Sequence, residues 1–130
     1  MKQGGWTTRV RRLSAGALAV LAAGCSEGPV DDIQTASLFV PPNGSLEGLE
    51  IVVPRGRALA FIAQPLGEGE TLRTRIQLES ADGTVAVAEP TIEMNQFVVL
   101  GLNVGTTTLR VKDESGQEAT PTLSVQVVSP

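Results

Sequence analysis

The chain has 130 residues, with ten Lys plus Arg against fourteen Asp plus Glu, no histidine, no tyrosine, one cysteine and one tryptophan. That inventory lacks the imidazole that activates a serine or cysteine nucleophile, and the His and Cys ligands that make a zinc centre, so no catalytic residues, no metal and no cofactor are expected. The acidic balance argues against nucleic acid, which selects basic patches.

Residues 13–24 are an unbroken run of small and apolar side chains, preceded by Lys2, Arg9, Arg11 and Arg12 and closed by Cys25. A basic head, an apolar stretch and small residues before a cut site form the secretory pattern. The run is far shorter than the roughly 20 residues a membrane-spanning helix takes, so a permanent span is not expected. Ala22-Ala23-Gly24-Cys25 resembles the lipobox of bacterial lipoproteins, with Ala22 where that family usually has Leu. The resemblance implies a cleaved signal peptide over residues 1–24 and a lipidated Cys25 that holds the protein to a membrane. Ser26, directly after it, resembles the outer-membrane class. Two or three acyl chains, at about 0.8 kcal/mol per buried methylene, hold a protein stably where one chain binds only marginally. Lipidation also uses the thiol, so the domain stands without a disulfide. Cleavage removes four cations and Trp6, leaving six cations against fourteen acids and a net charge of −8.

Residues 25–36 contain Gly28, Pro29, Asp31 and Asp32 and read as a lipidated N-terminus and flexible tether, with one domain over residues 37–130. From there, short β-rich runs alternate with turn residues, the spacing of an all-β sandwich. Residues 38–40 are the first strand, ended by Pro41-Pro42-Asn43-Gly44, and residues 49–53 the second, ended by Pro54. Residues 57–64 put Leu59, Phe61 and Ala63 on one face. In residues 72–79, Leu72, Ile76 and Leu78 lie on one side and Arg73, Arg75 and Gln77 on the other. A period of two sends one set to the core and the other to water. Residues 84–88 form a strand after the Ala81-Asp82-Gly83 turn, and residues 89–95 a polar connection. Residues 96–100, 106–112 and 122–128 complete the fold, with Thr107, Leu109, Val111, Leu123, Val125 and Val127 inward.

Ser80-Ala81-Asp82-Gly83-Thr84-Val85-Ala86-Val87, followed by the segment from Val99-Leu100-Gly101 through Gly105-Thr106-Thr107-Thr108 to Val111, resembles the group 2 bacterial Ig-like domains. Leu78 stands where that family often has a core tryptophan. The resemblance implies a seven-strand, Greek-key Ig-like sandwich of the kind found in cell-surface and envelope proteins, and no catalytic residues.

Two functional readings remain. One is a lipid-anchored envelope module that binds another molecule. The other is a spacer or accessory subunit with no ligand of its own. For the first, the alternation sets Arg73, Arg75, Arg110 and Lys112 on one sheet face, suited to an acidic protein or a phosphorylated glycan. Asp82-Gly83-Thr84 and Asp113-Glu114-Ser115-Gly116 offer oxygen donors for calcium, but Asp and Gly are also what tight turns demand.

Overall fold

The computed structural model describes residues 28–130; the leader and Cys25 lie outside the described residues. Ten strands succeed one another: β1 (Asp32–Phe39), β2 (Ser45–Glu47), β3 (Glu50–Pro54), β4 (Ala58–Gly67), β5 (Glu70–Thr71), β6 (Gln77–Ser80), β7 (Ala86–Pro90), β8 (Gln96–Gly101), β9 (Gly105–Lys112) and β10 (Glu118–Val128). They form two sheets. The first runs β1-β4-β8-β7, with β5 hairpinned onto β4, and the second runs β2-β3-β10-β9-β6. β3 lies parallel to β10, while the other pairs are antiparallel. This is the expected all-β, Ig-like Greek-key sandwich, built from ten strands where the resemblance implies seven.

The core follows from the alternation. In β4, Leu59, Phe61 and Ala63 are buried, and so are Leu109 and Val111 of β9 and Leu123, Val125 and Val127 of β10. Ile51 and Val53 of β3 and Phe97 and Val99 of β8 fill the space between the sheets. The Phe61 and Phe97 rings meet at 6.0 Å with a 37° tilt. That is within the range where aromatic pairs add to simple burial.

Three expectations are corrected. The tether through residue 36 is shorter: Val30 is buried, the Asp31 N–H donates to Leu66 O at 2.9 Å, and β1 already starts at Asp32. Residues 72–76 are not a strand, although Leu72 and Ile76 are buried as their phase requires; only Gln77–Ser80 joins the ladder. The strand expected at 84–88 begins at Ala86 and takes in Glu89 and Pro90, because Asp82 closes a turn by accepting from the Val85 N–H at 3.1 Å.

The ends of the sandwich differ in charge. β1 enters beside Leu66, and Asp31 Oδ2 accepts from the Glu68 N–H at 2.9 Å. Glu70 lies in β5 next to that turn, and the β9–β10 hairpin brings Asp113, Glu114 and Glu118 to the same end. β10 finishes at the opposite end, where the Arg55 N–H donates to Val128 O at 2.8 Å, and there Arg55 and Arg57 stand in the β3–β4 turn.

Candidate binding surface

The four cations singled out above do not form one uncompensated face. Arg110 and Lys112 point outward from β9, and Glu79 of β6 lies opposite Arg110 in the register. Glu79 Oε1 is 3.2 Å from Lys112 Nζ and 3.7 Å from Arg110 Nη2. One carboxylate thus serves two cations, and the repulsion expected between adjacent like charges is relieved. The alternation that sets Gln77 outward also sets Glu79 outward, so this partner was legible in the sequence.

Arg73 and Arg75 lie on the exposed segment before β6. Asn95 shapes that segment. It is buried, with φ of 60°, a left-handed conformation that asparagine tolerates better than most residues. Its Oδ1 accepts from the Ile76 N–H at 2.9 Å, and its Nδ2 donates to Thr74 O at 3.1 Å. A side chain therefore takes the backbone bonds that a ladder would have used. Thr74 Oγ1 donates to Glu114 Oε1 at 3.3 Å, which sets an acid beside the Arg73–Arg75 segment.

Arg75 also lines a cleft of about 400 Å³ between the edges of β6 and β7. Leu78 and Phe97 form its apolar floor, and Arg75, Gln77 and Glu93 its polar rim. The cleft carries both charge signs, so it does not select a purely anionic guest. No group of three or more His, Cys, Asp or Glu side chains able to hold a metal is found among the described residues. The two Asp turns are closed internally. The Thr84 hydroxyl donates to Asp82 Oδ1 at 2.6 Å, and the Ser115 hydroxyl to Asp113 Oδ1 at 2.6 Å. These bonds hold both carboxyls below their ordinary value.

No family model matches the chain, and no curated protein matches it. Solved structures do. Domains 4 and 5 of the S-layer protein SbsC superpose with a TM-score of 0.51 at 15% identity, over 90% of this chain and 56% of that one. Domains 5–6 of the same protein give 0.51 at 17% identity, over 74% of this chain and 46% of that one. The chain spans about half the length of the structures it matches, and at this identity the likeness is one of fold.

Proposed function

We propose that the chain is a lipid-anchored cell-envelope module that binds another envelope or extracellular molecule without catalysing a reaction. The observation that carries this reading is the position of the first strand. Val30 is already in the core, five residues after the lipobox-like Cys25. The fold is thus fastened at the end where the anchor would attach, about 17 Å of extended chain from it. Likeness to domains of an S-layer protein, a component of the cell envelope, supports the location. A spacer role is the second reading, favoured by strands β1 and β10 leaving the sandwich at opposite ends.

The reading is tested with Cys25→Ala in cells fed a labelled fatty acid. The wild-type chain is expected to carry label and to sediment with outer membranes. The variant is expected to lose the label and accumulate as unprocessed precursor. An acylated, membrane-bound variant indistinguishable from wild type would refute the anchor.

A further inference from the structure

The two outer faces of the sandwich differ in kind. Outside the second sheet, the outward positions of β9 and β10 are Thr106, Thr108, Arg110, Lys112, Thr122, Ser124 and Gln126, the polar surface a half-solvated sheet normally shows. Outside the first sheet, the outward positions of the upper half are apolar. Leu59, Phe61 and Ala63 point inward from β4, so Ala58, Ala60 and Ile62 point out. Phe97 and Val99 point inward from β8, so Val98 and Leu100 point out. The register then aligns Val87, Leu100 and Ala58 in one row and Val98, Ala60 and Phe39 in the next. Phe39 is 58% exposed and Leu100 37%. Glu89, opposite Val98, is the one charge in these two rows.

We infer that this face docks a second copy of the same chain about a two-fold axis parallel to the strands. The pattern of side-chain sizes singles out that occupant. The outward column of β4 is small, Ala58 and Ala60, and the neighbouring column of β8 is large, Leu100 and Val98. An axis running between β4 and β8 sets each small column against the large column of the partner, so the surface is complementary to itself. Phe39 on β1 then meets the partner's β7 at Glu89, which shares its row and lies at the rim, with Val87 one row away. Charge favours the same match. A chain with six cations and fourteen acids after the leader repels its own copies except across a face nearly free of charge. The axis direction keeps both chains' first strands at the same end, as two copies held by one membrane require.

Area sets the strength. Four strands about 4.8 Å apart, over about four residue steps, make a patch of roughly 400 Å² per copy with side-chain margins. Pairing hides roughly 800 Å², below the about 1,200–2,000 Å² of stable complexes, so the dimer is weak in solution and favoured by crowding on a membrane.

The experiment is sedimentation equilibrium of the full chain in density-matched detergent, with circular dichroism to confirm folding of each variant. Wild type is expected to show concentration-dependent dimers. Leu100→Glu and Ala58→Lys, each alone, bury an uncompensated charge and should weaken association by about tenfold or more. Thr108→Glu, on the other outer face, should not. An equimolar mixture of the Leu100→Glu and Ala58→Lys chains should recover dimers, because position 58 of one copy faces position 100 of the other. That recovery also excludes misfolding as the reason for the single-variant losses. Wild type that stays monomeric at every concentration overturns the proposal. So does a dimer untouched by Leu100→Glu, or a mixture that fails to recover.

Discussion

Gly101 ends β8 where a neighbouring strand passes close. A Cβ there would stand 2.9 Å from Pro54 O, 3.2 Å from Val127 Cγ1 and 3.3 Å from Val53 Cγ1. Gly101→Ala must therefore push backbone apart, and overpacking of this kind costs about 1–3 kcal/mol. The expected result is a lowered denaturant midpoint with unchanged slope; an unchanged midpoint would refute the close approach. Thr107, from the same glycine–threonine segment, is buried, and its Oγ1 accepts from the Asp82 N–H at 2.9 Å. Both features give the glycine–threonine segment a packing and hydrogen-bonding reason. Asp82 and Asp113 yield a pH prediction. The Thr84 hydroxyl, then the Thr84 N–H, stabilise the Asp82 anion; the Ser115 hydroxyl does most for Asp113, aided by backbone N–H groups and opposed by slight desolvation. Each carboxyl is thus held below its ordinary value of 3.8 in the folded state. The stabilisation is complete above that value and fades as the pH falls through the lower, folded one. Both turns face water, so the effect is modest. As the pH falls below 3.8, wild type should lose more stability than Asp113→Asn, and parallel curves would remove the contribution.

Among the elements, β4 was the easiest to read and β1 the hardest. Residues 58–63 are apolar in both phases, which reveals a strand but not that its outer half is uncovered. Only the sheet order shows that. β1 is polar because it is an edge: Ile33 is its one fully buried residue, and the Thr35 hydroxyl donates to Gly48 O at 2.6 Å instead of packing. Without an apolar alternation, composition reads it as tether. Residues 72–76 kept the right phase yet left the ladder, because their backbone groups bond the Asn95 side chain, a long-range partner that periodicity does not signal. Of the candidate cations, Arg110 and Lys112 lie on β9, whereas Arg73 and Arg75 precede β6 on the segment that Asn95 holds out of the ladder. β6 is consequently short, and Leu78 packs at the margin of the core opposite Val111. Leu109, at 0% exposure, occupies its centre. Leu109→Ala should cost about 2–5 kcal/mol. Leu78→Ala should cost clearly less, since its site is already open to solvent on one side. Equal shifts in chemical unfolding would place the true core centre nearer β6.

For the whole molecule, the separation of charge gives an orientation. Asp31, Glu68, Glu70, Asp113 and Glu114 share the end where β1 enters, and Arg55 and Arg57 the other. Anchored at Cys25, the domain would turn its acidic end to the bilayer. Spin labels at Ser115 and Asn103 should report Ser115 nearer the lipid, with anionic lipid pushing it away and added salt weakening that push. Closer approach by Asn103 would invert the orientation. The parallel pairing of β3 with β10 has a mechanical consequence. Five residue pairs, from Ser124 with Glu50 to Val128 with Pro54, lie side by side along the strand axis. β1 and β10 leave from opposite ends, so if the chain were anchored at Cys25 and pulled from its far end, the tension would run along the strands. The hydrogen bonds of β1 with β4 and of β3 with β10 are then sheared together instead of being peeled apart one by one. A sandwich wired this way resists pulling along its length far better than across it.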